Sequence, residues 1–188
     1  MPIKKWTENE ARYRELVLYI CQKCASDPKF GATKLNKILY FSDFLAYATL
    51  GEPITGFEYQ RLPNGPAPRR MVPMRADMER RRDLGFQEVP LRGGRTQQRA
   101  VNLRVPDLSV FTAAQISVVD RVIEELWNLD AEEVSELSHR MMGWKLADMN
   151  ETIPYETVFI SADPLTETDV ERARELRRLV HESTPNDC

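Results

Sequence analysis

The chain has 188 residues, 42% apolar and 29% charged, with a net charge of −3. That length suits one well-packed domain, and the composition is that of an ordinary globular protein rather than a disordered or fibrous one. No apolar run approaches a membrane span, and Met1-Pro2-Ile3-Lys4-Lys5-Trp6 lacks the apolar core of a signal peptide, so a cytoplasmic protein is expected.

Thr7-Glu8-Asn9-Glu10 fits a capping box, with a hydroxyl N-cap and a carboxylate three residues on. The helix it starts should run to about Ala25, with Tyr13, Leu16, Val17, Ile20 and Cys24 as its apolar stripe. Asp27-Pro28 breaks it, and Lys29 to Ala32 is a connector. A second helix is expected from about Thr33. Its stripe is Leu35, Ile38, Leu39, Ser42 and Leu45, widened by Tyr40, Phe41 and Phe44, which places the helix centrally. Gly51 ends it by tolerating a left-handed conformation. Ile54, Phe57 and Tyr59 suggest a short extended segment. Pro63-Asn64-Gly65-Pro66 is a turn in which the prolines fix φ and the glycine allows positive φ.

Pro68 to Arg82 reads as a third helix on Met71, Met74 and Met78. Pro73 fits only its first turn, and Leu84-Gly85 closes it. Phe86 to Val89 and Ala100 to Leu103 read as a β-hairpin around a long mobile loop, Leu91 to Arg99. Thr112 with Gln115, and Asp130 with Glu133, cap two more helices, ending near Trp127 and Ser138. Gly143 is read as an interruption and Trp144 to Ala147 as one helical turn. Ile153 to Ile160 reads as a strand. A last helix spans Pro164 to about His181, with Leu165, Val170, Ala173, Leu176 and Val180 facing inward. There is no internal repeat or long linker. The expected fold is α+β and mainly α: a compact helical domain with a small antiparallel β element, one domain over 1–188.

Charge is unevenly spread. Residues 61–104 hold eleven arginines against four acids, a net of +7, and residues 105–188 hold seven basic residues against eighteen acids, a net of −11. The simplest reading is mutual neutralisation across the fold. The sharper one is a binding surface made of Arg69, Arg70, Arg75, Arg80, Arg81 and Arg82 with Arg92, Arg95 and Arg99. Arginine pairs with carboxylate and phosphate alike. Asn64-Gly65-Pro66 is better read as a turn than as a phosphate cradle, because no Walker-type glycine loop accompanies it.

Cys21-Gln22-Lys23-Cys24 has the spacing of metal and redox sites, but a structural zinc needs a second ligand pair. The remaining candidates, His139, His181 and Cys188, lie far apart in sequence. The pair also lies inside a helix, away from the N-terminal field that would favour a thiolate. Core packing by reduced thiols is the favoured reading, and no metal or cofactor is expected. Ser138 and His139 are sequence neighbours, which on a helix do not face each other as nucleophile and base. With no catalytic motif in the chain, a structural role for His139 and Trp144 is favoured.

Lys34-Leu35-Asn36-Lys37-Ile38-Leu39-Tyr40-Phe41-Ser42-Asp43, the Gly65-Pro66 turn, Leu137-Ser138-His139, Trp144 and Ile153-Pro154-Tyr155-Glu156 follow one another in an order that resembles the SocA-like Panacea domain, the antitoxin-associated domain of bacteria and phages. The resemblance covers roughly residues 10–160 and leaves a C-terminal helix at 164–181. It implies structural roles for Lys34, Leu35, Lys37, Leu39, Tyr40, Asp43, Ser138, His139 and Trp144. It also implies a non-enzymatic protein that sequesters a cognate protein toxin, with presentation of the toxin to a protease as a variant mechanism. The extra DNA-binding domain of some family members is not expected here. The partner-binding residues expected are Asn64, Gly65, Pro66, Arg69, Arg70, Arg80 and Arg81. The alternative is a nucleic-acid-binding protein using the arginine-rich segment 69–99.

Overall fold

A computed structural model describes residues 7–90, 94, 96–161, 163 and 166–182. The fold is mainly helical with two small antiparallel sheets. In order it runs α1 (Glu8–Lys23), α2 (Ala32–Leu50), β1 (Tyr59–Gln60), β2 (Ala67–Pro68), α3 (Met71–Arg80), β3 (Leu84–Pro90) and β4 (Thr96–Asn102). Then come α4 (Ala113–Leu126), α5 (Ala131–His139), α6 (Met142–Leu146), β5 (Thr152–Ile153) and α7 (Glu167–Glu182). Short 3-10 turns occupy Leu108–Val110 and Tyr155–Phe159.

The three capping boxes form as their sequences require. Thr7, Thr112 and Asp130 each accept from the backbone three residues on, and Glu10, Gln115 and Glu133 reach back. Gly51 ends α2 at φ 84°, in the left-handed region. The helix α2 is the hub: α1, α4, α5, β2, β4 and the Tyr155–Phe159 turn all pack against it. Ile38, Leu39 and Tyr40 are fully enclosed, and Tyr40 meets Phe44 and Tyr59 ring to ring. Leu39→Ala should therefore cost about 3 kcal/mol, the lost burial plus the cavity left behind. Chemical denaturation at constant pH measures it, and a loss below about 0.5 kcal/mol would mean that Leu39 is not in the core.

In the first sheet β1 is central. Tyr59 faces Pro68 on β2 and Ile153 on β5. The hairpin β3–β4 runs from Leu84 opposite Asn102 to Pro90 opposite Thr96. Both strands are longer than expected. Leu84-Gly85 opens β3 rather than closing the third helix. That helix stops instead at a left-handed Arg82, φ 59°, where the Asp83 N–H returns to the Met78 carbonyl. Of the expected loop, residues 91–93 and 95 lie outside the described residues, and Thr96 to Arg99 is strand.

Two other expectations need correction. Gly143 does not interrupt a helix; it lies inside α6. A side chain there would meet Thr157 and, at 2.7 Å, Ile153 Cγ2, so the glycine admits a close approach of the segment after β5. Of residues 153–160 only Ile153 is strand. Pro154 has no N–H for the ladder, so pairing ends at Ile153. The chain turns as Thr157 N–H bonds to the Pro154 carbonyl.

Candidate protein-binding site

The motif helix α2 buries polar groups as well as its apolar stripe. Lys34, Lys37 and Asp43 are all enclosed, and each ties a different segment to the hub. Lys34 Nζ donates to Asp27 Oδ2 at 2.6 Å and to the carbonyls of Trp127 and Leu129 at 2.7 and 2.9 Å. All three ammonium protons are thus placed, two of them at the carbonyl-rich end of α4. Asp43 accepts from Thr55 N–H (2.7 Å), Thr55 Oγ1 (2.5 Å) and Tyr59 OH (2.7 Å), which fixes the segment entering β1. Burial raises the Asp43 carboxyl, and its hydrogen bonds oppose that shift.

Lys37 faces the proline turn. It is 2% exposed, and its Nζ donates to the Pro66 carbonyl at 2.9 Å. Gly65, at φ 91°, lies against Lys37 Nζ and Ser138 Oγ so closely that a Cβ would collide with both. Ser138 is fully enclosed and donates to the Ser135 carbonyl at 2.7 Å. Next to it, His139 stacks on Trp144 with ring centroids 4.0 Å apart. Trp144 Nε1 donates to the Leu62 carbonyl at 3.1 Å, and the Arg61 guanidinium lies 4.4 Å from the Trp144 ring centroid. Burial lowers the His139 pKa, and the nearby charges of Lys37 and Arg61 lower it further. Three segments far apart in sequence, 34–43, 61–66 and 138–144, meet at this junction.

Burial pushes the Lys37 amine down to about 8 from 10.5. The sign of its effect on stability follows. Between those values the unfolded chain binds more protons than the folded one. Stability from this group therefore rises as pH goes from about 8 to 10.5. Below about pH 8 the full cost of burying the charge is present, about 3 kcal/mol. The enclosed thiols of Cys21 and Cys24 and several enclosed tyrosines have raised pKa values and act oppositely at high pH. The measurement is accordingly a difference. Wild type minus Lys37→Met should gain stability over this window, and a flat difference would contradict the assignment.

The turn itself is divided. Gly65 and Pro66 face inward, leaving Pro63 and Asn64 exposed. β2 then leads to Arg69 and Arg70. They border a groove of about 180 Å³ lined also by Thr7, Asn9, Glu10 and Glu58. Arg69 donates to the Asn150 carbonyl and to Thr152 Oγ1, and Arg70 pairs with Glu10 at 2.6 Å. Arg80 and Arg81 both pair with Asp77. Of these side chains Arg80 is the most open at 65%, and Arg81 is mostly covered at 18%.

Arg82 is exposed, whereas three other arginines of the basic segment serve inside the protein. Arg75 lies over the Phe86 ring, Arg99 donates to the Asp27 carbonyl, and Arg104 binds both Glu15 and Asp83. Arg92 and Arg95 lie outside the described residues. Among the described residues the two oppositely charged segments do not neutralise each other in the way the sequence suggested. The arginines of 61–104 pair with acids of α1, with Glu58 and with acids of their own segment, because α3 and the hairpin pack near α1. The acidic segment answers Lys23 and Lys29 through Asp120 and Glu133. Cys21 and Cys24 are both enclosed, and burial pushes the Cys24 thiol up to about 12. Among the described residues no three His, Cys, Asp or Glu side chains are grouped to hold a metal, and no helix is long and apolar enough to cross a membrane.

A helical α+β domain built around one buried polar junction, with a braced turn and exposed arginines outside it, is the class the geometry defines. Residues 35–145 match the family described as Antitoxin SocA-like, Panacea domain, and the chain belongs to that family. The match takes in α2 from Leu35, the proline turn, Ser138, His139 and Trp144, so it spans the junction. Membership gives the chain an antitoxin-like role with a toxin as its general partner. No curated protein and no solved structure matches the chain.

Proposed function

We propose that this protein is an antitoxin that neutralises its cognate toxin by direct, stoichiometric contact and not by chemistry. The observation that carries the reading is how the motif residues are used. Lys34, Lys37, Asp43, Gly65, Ser138 and Trp144 hold one another and the backbone. Such a junction makes a scaffold: it braces Pro63 and Asn64, and a rigid turn lowers the ordering cost of association. Arg69, Arg70 and Arg80 add donors suited to carboxylates on a partner. Presentation of the bound toxin to a protease would use the same contact. The nucleic-acid alternative has less support, since Arg75, Arg99 and Arg104 already serve internal partners.

The test is growth rescue when the chain is co-expressed with its cognate toxin. Asn64→Arg and Arg80→Glu should each weaken rescue while thermal melting stays unchanged, because exposed substitutions alter stability little. Rescue should also require antitoxin in at least equal amount to toxin. Full rescue by both variants would overturn the binding map, and rescue at a small fraction of the toxin level would point to an enzyme.

A further inference from the structure

The β3–β4 hairpin has an open edge. β3 bonds only to β4, and the Leu103 N–H donates to the Asp83 carbonyl at 2.8 Å, which sets the phase of the ladder. Gly85, Gln87 and Val89 therefore point their backbone groups at β4, and Phe86 and Glu88 point theirs outward. Among the described residues no other group takes up these outward donors and acceptors. Such a row is a template for a further strand. We propose that the strand that fills it is β3 of a second copy of this chain, antiparallel, so that two hairpins join into a single sheet.

Two observations name a second copy. The first is charge. The Arg75 guanidinium lies 3.4 Å from the centroid of the Phe86 ring, and Arg75 donates to Gln98, which stands opposite Glu88. Arg75 is thus on the sheet face that carries Phe86 and Glu88. Glu88 is exposed and, among the described residues, has no ion pair. When Phe86 of one copy pairs with Glu88 of the other, each Glu88 carboxylate comes beside Arg75 of the opposite copy, and symmetry makes the contact twice. The second is register. Only the outward residues can exchange bonds, so the copies can slide only in steps of two. Pairing Glu88 with Glu88 sets like charges opposite each other. Pairing Phe86 with Phe86 puts Glu88 against Leu84, which is 3% exposed. Pairing Phe86 with Glu88 avoids both and sets Gln87 on the two-fold axis. It also leaves Pro90, which has no N–H to give, at the end of the shared ladder.

Sedimentation of the purified chain tests this. The shared edge is short, so the dimer should be weak, present at about 100 µM and dissociated at about 1 µM. Glu88→Pro removes an outward N–H that the monomer does not use. It should abolish the dimer and leave thermal melting nearly unchanged. Glu88→Arg sets like charges beside Arg75 and should weaken the dimer about tenfold or more. In a Cys188→Ser background, oxidation should cross-link Gln87→Cys across the two-fold axis but not Val89→Cys, whose counterpart lies beyond disulfide reach. A chain that stays monomeric over this range would overturn the proposal. So would a dimer that survives Glu88→Pro, or one that cross-links through residue 89 and not through residue 87. A monomer whose toxin binding is lost in Glu88→Pro would assign the edge to a strand of the toxin, and would also overturn it.

Discussion

Gly65→Ala should leave the chain largely unfolded at room temperature, at a cost above about 4 kcal/mol. Two separate effects add. The backbone at residue 65 has φ 91°, where an L side chain is strained by about 1–3 kcal/mol. The new methyl would also overlap Ser138 Oγ and lie 2.8 Å from Lys37 Nζ. Neither neighbour can move freely. Ser138 is fully enclosed on α5, and Lys37 is held at the Pro66 carbonyl by the hub helix. Shifting either one disturbs α2 or α5, so the strain is not relieved locally. Gly51 is the control. It too has positive φ, 84°, but nothing lies near its would-be Cβ, so Gly51→Ala should cost only the backbone term. Circular dichroism melts of both variants decide the point. Equal small losses would mean that the junction is loosely packed.

Asp43→Ala should cost about 3–6 kcal/mol. The substitution removes the acceptor of Thr55 N–H, Thr55 Oγ1 and Tyr59 OH at once, all in an enclosed site. A buried donor without a partner costs about 1–3 kcal/mol, and water entering the space would recover part of the sum. Asp43→Asn should be milder, because the amide oxygen still accepts while its NH₂ meets one donor badly. Urea denaturation should therefore rank wild type above Asn and Asn above Ala. An Ala variant as stable as wild type would remove Asp43 from its place as the tie between α2 and β1.

Much of this architecture was legible in the chain because it rests on local chemistry. The three capping boxes, the Gly51 stop and the Met71, Met74, Met78 spacing act over a few residues, and each appears where its sequence places it. What escaped notice depends on distant partners. No periodicity marks Lys34 and Lys37 as buried, since a lysine ordinarily faces water; only Asp27, the end of α4 and the Pro66 carbonyl make that burial tolerable. Tyr155 gave no sign that its hydroxyl would reach the Phe57 carbonyl. Nothing local in the sequence marks Arg104 as closing a network with Glu15 and Asp83. The strand expected over 153–160 failed at Pro154, where a missing N–H outweighed the apolar residues beyond it. At the candidate interface, the sequence pointed to the turn and the arginines. It held no signal that Gly65 and Pro66 turn inward while Pro63 and Asn64 stay outside.

The most direct measurement is calorimetric titration of this purified chain with its purified cognate toxin. Direct neutralisation predicts a saturable complex of fixed stoichiometry, weakened by Asn64→Arg and by Arg80→Glu in proportion to their loss of rescue. A chain that rescues growth fully in cells yet shows no heat of binding and no co-elution with that toxin would contradict the account.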